Sequence, residues 1–171
     1  MTLVSSLLVQ ATATQSETLD LGGRSSTMSK TYRTALTDGT VAGKADRVFH
    51  DTRTLAASAT ENLDFAGGVL FDPLGTALTF VKVKGLIVAA AAANTNDVLV
   101  GGDVVNTFFG MFIDETDGVR VRPGGVFAMI TGVADASGYP VVAGTGDLFK
   151  ITNGAGGTPV TYDVIVIGTS A

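Results

Sequence analysis

Gly154-Ala155-Gly156-Gly157 follows an apolar alternation that ends at Ile151, the composition of a phosphate-cradling loop. Such a loop binds because backbone N–H groups at a helix N-terminus point at the anion, so it requires strand, loop and then helix. Here Val160, Tyr162, Val164 and Val166 alternate with Thr161, Asp163, Ile165 and Ile167, the period of a strand. No Lys-Ser/Thr pair follows the glycines. The run from Asn153 to Thr158 is therefore read as a corner joining two antiparallel strands. Asn153-Gly154 supplies the left-handed backbone that such corners use.

Asp114-Glu115-Thr116-Asp117-Gly118 is a second candidate, faintly like a calcium loop. Calcium needs hard oxygen ligands at alternating positions, a glycine at the sixth place and a closing glutamate. The third position is Thr116, Gly118 falls one place early and no glutamate closes the loop, so a solvated hairpin turn is expected. His50 beside Asp51 suggests a general base oriented by a carboxylate. Neighbours on a strand point to opposite faces, which separates the two side chains. No serine lies in a Gly-x-Ser-x-Gly elbow, and one histidine without cysteine makes a poor zinc site. His50 is read as an exposed or interface residue. Catalytic, cofactor-binding and metal residues are all assigned as none, and the chain is read as no enzyme.

Arg120 and Arg122 share one strand face, as do Lys82 and Lys84. Both pairs fit a sheet's solvated outer face. Both also fit contacts to acidic residues of a neighbouring subunit, where guanidinium groups bind carboxylates well. The sequence leaves the two readings open. Phe108, Phe109 and Phe112 are read as core, with Phe109 a candidate for a subunit contact.

The elements that would hold these residues are strands. From about Asn62 the chain breaks into short β-rich runs between turn signals, roughly eight of them, spaced by 8–12 residues as in sandwiches and barrels. The predicted strands are 77–93, 97–102, 104–113, 119–131 with a break at Pro123-Gly124-Gly125, 139–144, 147–152 and 158–168. Ala89–Ala93 is read as strand or strand plus loop. Asp117-Gly118 is read as a hairpin corner. Eight strands suit a jelly roll. The predicted fold is all-β: a β-sandwich body over 61–171, jelly roll in type, with an extended N-terminal arm over 1–60. The arm is rich in Thr and Ser, with few apolar anchors (Leu19, Leu21, Met28, Tyr32, Leu36). It buries too little to offset its own ordering, so it is either disordered or laid along another surface. Within it, Arg47–Ala57 alternates like a strand.

The chain has 171 residues, 46% of them apolar, no cysteine and no tryptophan. One domain with an appended arm fits that length. Net charge is −5 and uneven. Residues 1–54 carry six cations against five acids, and the remainder five against eleven. An acidic body is a poor partner for nucleic acid or for an anionic membrane. The longest apolar stretch, Gly85 to Ala93, is far short of the ~20 residues a membrane helix needs. Met1-Thr2-Leu3-Val4 lacks a basic n-region, so no export signal is expected.

Two stretches carry a resemblance. TYRTALTDGTVAGKADRVFHDTRTLAASATENLDFAGGVLFDPLGTALTFVKVKGLIV and VRVRPGGVFAMITGVADASGYPVVAGTGDLFKITNGAGGTPVTYDVIVIG resemble small virion structural proteins of tailed bacteriophages. The likeness spans about residues 31–168 and is one of texture. It implies a head decoration, or cement, protein, a functional group whose members are commonly β-rich trimers. The implied partners are the major capsid protein and further copies of the chain as a homotrimer. The implied location is the capsid surface of the virion, after synthesis in the host cytoplasm. The alternatives are a tail, baseplate or head-fibre component, or a carbohydrate-binding β-sandwich that touches the host surface. The absence of Trp and the presence of only three Tyr weigh against the last.

Overall fold

The structure, a computed structural model, describes residues 2–102 and 105–171. All its regular elements are strands: β1 (Ser5–Leu19), β2 (Gly22–Leu36), β3 (Arg47–Leu55), β4 (Thr60–Asp64), β5 (Leu70–Phe71), β6 (Ala77–Leu78), β7 (Lys82–Ala90), β8 (Val98–Gly101), β9 (Gly118–Val121), β10 (Val126–Ile130), β11 (Tyr139–Pro140), β12 (Leu148–Asn153) and β13 (Val160–Thr169). The chain is all-β.

Two main sheets share one core. The five-stranded sheet runs β10-β7-β13-β3, with β11 also on β7, and the four-stranded sheet runs β4-β12-β8-β9. Alternation dictates which side chains meet. Leu86 and Val88 of β7, Val164 and Val166 of β13 and Phe49 of β3 face inward from the first sheet. Leu63, Val98, Val100, Phe149 and Ile151 answer from the second, in the same buried cluster. The result is sandwich-like packing of two antiparallel sheets. One end is closed by aromatic rings: Phe65 lies 5.1 Å from Phe108, 5.5 Å from Phe149 and 5.8 Å from Phe80 between centroids. β3, predicted as a strand within the first 60 residues, pairs along its whole length with β13.

Three strand expectations need correction. The long strand 77–93 is two strands, because Phe80 turns into the aromatic cluster and its N–H donates to the Phe65 carbonyl. The second of these ends at Ala90, and Ala91–Asn94 make a turn that leaves the sheet, the strand-plus-loop form expected for Ala89–Ala93. The run 104–113 is loop from 105 onward, and Val104 lies outside the described residues. It lacks a period-two alternation. Phe108 alone plugs the core, while the Phe112 N–H turns back to the Phe109 carbonyl at 2.6 Å. Asp117-Gly118 is not a two-residue hairpin corner: β8 and β9 do pair, ending at Gly101 opposite Gly118, but residues 102–117 separate them in the sequence.

β7 also carries a bulge. Gly85 sits opposite Ile167 and Val83 opposite Gly168, so Lys84 is the extra residue. The bulge breaks the parity on which the Lys82/Lys84 pairing was read. Lys84 is fully buried, and its Nζ donates to the carbonyls of Val41 at 3.0 Å and Asp135 at 3.2 Å. Lys82 instead reaches the carbonyl of Ala171 at 3.2 Å. Burial pushes the Lys84 ammonium below its usual pKa, and the Asp135 carboxylate opposes that shift.

The first 36 residues form a sheet of their own. β1 and β2 pair antiparallel through fifteen positions, Ser5 opposite Leu36 to Leu19 opposite Gly22, around a two-residue turn at Asp20-Leu21. Threonine, β-branched, is a good strand residue, and a full ladder of hydrogen bonds satisfies the backbone of the hairpin.

Candidate functional site

The hairpin is the most exposed element of the chain. Every residue from Leu8 to Arg33 is exposed, so neither face is buried. Its faces differ because side chains alternate. One face carries Val9, Ala11, Ala13, Gln15, Glu17 and Leu19 on β1, with Tyr32, Lys30, Met28, Ser26 and Arg24 opposite on β2, apolar near the root and polar toward the tip. The other carries Gln10, Thr12, Thr14, Ser16 and Thr18, with Thr31, Ser29, Thr27 and Ser25 opposite. On that polar face Thr14 and Thr27 hydroxyls meet at 3.0 Å, and Arg33 donates to the Ser6 hydroxyl at 2.9 Å. Near the tip of the first face, Arg24 donates to Glu17 at 2.7 Å.

The hairpin root is fastened to the five-stranded sheet. Leu7 and Leu36 are buried with Ala45 and Ile167 on the sheet's outer side. Leu7 lies directly over Gly85: a Cβ built at Gly85 would stand 2.3 Å from Leu7 Cδ1. The buried Thr34 hydroxyl donates to the Thr131 carbonyl at 3.1 Å, and the Leu3 N–H donates to Asp38 at 2.9 Å. Lys84 fastens the loops around Val41 and Asp135 beside this root.

The root covers only part of that outer face. It sits on the row Ile130, Gly85, Ile167 and Val48. Two further rows lie beside it: Ala128, Ile87, Ile165 and His50, then Val126, Ala89, Asp163 and Thr52. Val126 is 63% exposed, Ala128 is exposed, and Ile87, Ile165 and Ala89 are half-buried. Asp163 is the one charge on these rows and accepts a hydrogen bond from Thr52 at 2.6 Å. A groove lined by Val9, Tyr32, Ala128 and Ile130 runs between the apolar face of the hairpin and β10.

The residues singled out by chemistry lie elsewhere. The glycine run links β12 in one sheet to β13 in the other, so it is a crossing between sheets and not a hairpin. Its carbonyls turn inward: Asn96 Nδ2 lies 3.1 Å from the Ala155 oxygen and 3.0 Å from that of Thr158. Asn153 Nδ2 reaches the Thr158 carbonyl at 2.8 Å. The Gly154 N–H is spent on the Asp97 carbonyl at 2.9 Å. Asp114 likewise accepts from the Thr116 N–H and hydroxyl at 3.0 and 2.9 Å, which holds its carboxyl below the usual range. Among the described residues no group of three or more His, Asp or Glu is placed to hold a metal ion. His50 faces outward while Asp51 turns to Arg53 at 3.2 Å. Arg120 pairs with Asp97 at 3.0 Å, and Arg122 is exposed. Phe108 is buried, Phe112 stacks on Phe127 at 6.4 Å, and Phe109 is 37% exposed.

Two features were missed from sequence. The buried Tyr162 hydroxyl donates to Glu61, which also receives Arg53 at 2.8 Å. Burial first, then the Glu61 hydrogen bond and charge, push the Tyr162 phenol well above its usual pKa. No local signal announces that contact. The hairpin did have one: Leu7, Val9, Ala11 and Ala13 alternate with Thr12, Thr14, Ser16 and Thr18, ahead of Asp20-Leu21-Gly22-Gly23.

No family model, no curated protein and no solved structure matches this chain. No helix of the described residues is long and apolar enough to cross a membrane.

Proposed function

We propose that the chain is a structural component of a tailed-phage particle, a head decoration protein of the cement type. In this reading it binds the major capsid protein, associates with copies of itself as a homotrimer, and stabilises the shell by covering joints rather than by chemistry. The body is taken as a jelly roll. Among its eight strands of four or more residues, the first (β3) lies beside the last (β13) in one sheet. The second (β4) lies beside the next to last (β12) in the other, an order that two Greek keys produce.

The observation that carries the proposal is the hairpin, taken as the arm that runs over the major capsid protein or a sister subunit. A two-stranded ribbon is marginal alone, yet this one holds twelve residue pairs beyond Leu7 and Thr34 with neither face covered. Side chains such as Leu21, Met28 and Tyr32 gain burial only when another surface meets them.

The test uses shells that lack the protein, mixed with the full chain or with a variant whose residues 8–33 are replaced by a two-residue turn. The full chain is expected to sediment with shells. The shortened chain is expected to keep its thermal transition and to stay in the supernatant. Undiminished binding by the shortened chain, or no binding by the full one, overturns the proposal. Gold label on intact particles separates a shell position from a tail position.

A further inference from the structure

We infer that the apolar face of the hairpin seats on the outer face of the five-stranded sheet of a second copy of this chain. The inference deepens the self-association part of the proposed function and does not depend on the shell.

The two surfaces complement each other in three respects. The first is polarity. Val9, Ala11, Ala13, Met28 and Tyr32 make an apolar strip on the half of that face nearest the root, with Gln15, Ser26, Glu17 and Arg24 beyond it, and Val126, Ala128, Ala89, Ile87 and Ile165 make an apolar floor. The strip, Val126 and Ala128 are exposed in the single chain, while Ala89, Ile87 and Ile165 are half-buried, the two isoleucines against the hairpin root. The second is charge. The hairpin carries three cations and two acids, while the rest of the chain carries eight cations and fourteen acids. Glu17 and Arg24 neutralise each other near the tip. That leaves Lys30 as the unpaired charge on the apolar strip, and Asp163 as the one charge on the floor.

The third is reach. From Leu8 to Leu19 the ribbon extends ~40 Å at the rise of an antiparallel strand. A body of this size is about 35–40 Å across by the usual scaling of radius with chain length. One hairpin therefore spans one neighbour. Its face offers ~400 Å² at two strand widths, half of the ~800 Å² per partner of a stable interface. In a head-to-tail ring each chain gives one hairpin and receives another, which buries ~800 Å² per chain spread over two contacts of ~400 Å² each, and closure of the ring holds them together.

The chain has no cysteine, so introduced thiols report without background. Met28→Cys on the strip is combined with Val126→Cys on the floor, and the free protein is treated with a flexible bis-maleimide. Denaturing gels are expected to show covalent products of two or more chains, several-fold above those of either single variant. The control pair Thr14→Cys with Val126→Cys puts the thiol on the polar face at nearly the same height along the hairpin. It is expected to stay at one chain mass. Ala13→Cys with Ala128→Cys repeats the test, and retained thermal transitions show that the variants fold. Products no larger than one chain from both strip-to-floor pairs overturn the inference. So do equal yields from the Thr14 control or from Met28→Cys alone. Failure to bind shells would leave these results untouched, so the two proposals fail separately.

Discussion

Gly85→Ala isolates the seat of the hairpin root. The added Cβ would stand 2.3 Å from Leu7 Cδ1 and 3.3 Å from Cδ2, closer than carbon atoms approach, and those methyl groups are the nearest atoms it meets. Gly85 lies within β7 and its φ is not among the positive ones, so the backbone accepts alanine. The body therefore stays folded and Leu7 moves. Leu7 is 3% exposed, and full burial of a leucine side chain contributes about 1.5–3 kcal/mol. Partial expulsion should cost the root ~1–2 kcal/mol, within the usual range for overpacking. The sign reverses without the leucine. In a Leu7→Ala background the space above residue 85 is open, and alanine in a strand is better than glycine by ~0.5–1 kcal/mol. The double-mutant cycle should therefore show a coupling of ~1.5–3 kcal/mol, summing both effects. The readouts are amide exchange in Leu7 and Leu36 and the rate of proteolysis in residues 8–33. Additive effects, or exchange at the root unchanged by Gly85→Ala, would refute the idea that Leu7 on Gly85 fastens the hairpin.

Gly168→Ala is expected to be worse, since its Cβ would meet the Lys82 backbone oxygen at 2.2 Å and the Phe80 ring at 2.8 Å; a loss of more than ~2 kcal/mol should appear in thermal melting. Tyr162 stays protonated in the folded chain at pH values where the unfolded chain ionises, so stability should fall as pH rises above 10.0, and Tyr162→Phe should remove that part of the slope in denaturant titrations. Lys84 has the opposite sign: the unfolded chain holds its proton up to about 10.5 while the folded chain releases it earlier, so its contribution rises with pH through that window. Lys84→Met should abolish the rise and, by leaving the Asp135 carbonyl without its donor, cost ~1–3 kcal/mol with faster amide exchange near Val41 and Asp135.

Strand identity was readable wherever burial is one-sided or regular. β13 alternates without a break from Val160 to Ile167, and β12 does so from Leu148 to Asn153. Long-range events broke the reading elsewhere. The bulge at Lys84 exists because Gly168 lets Lys82 approach, a contact between residues 86 positions apart. It sends a lysine under two loops that its own neighbours do not foretell. Phe108-Phe109 looked like a strand because both are apolar, but only one has a place in the aromatic cluster. The hairpin is a different case: few apolar residues leave a disordered or surface-laid segment equally open, whereas β-branched threonines at alternate positions, Thr12, Thr14, Thr27 and Thr31, favour strand pairing. Of the candidate surface, the sequence showed Leu19, Met28 and Tyr32 as anchors but not that Val126, Ala128 and Ile87 lie on an uncovered sheet face.

β13 is the last strand of the chain, and it lies between β7 and β3 in the middle of its sheet. Until residues 160–169 have left the ribosome, β3 has no neighbour within that sheet and the larger half of the sandwich stands as separate ribbons. Closure of this sheet must then wait for β13, and it joins segments more than a hundred residues apart, such as Thr52 and Asp163. A chain cut short before β13 would carry two bare sheet edges, the kind of species that aggregates or calls on chaperones.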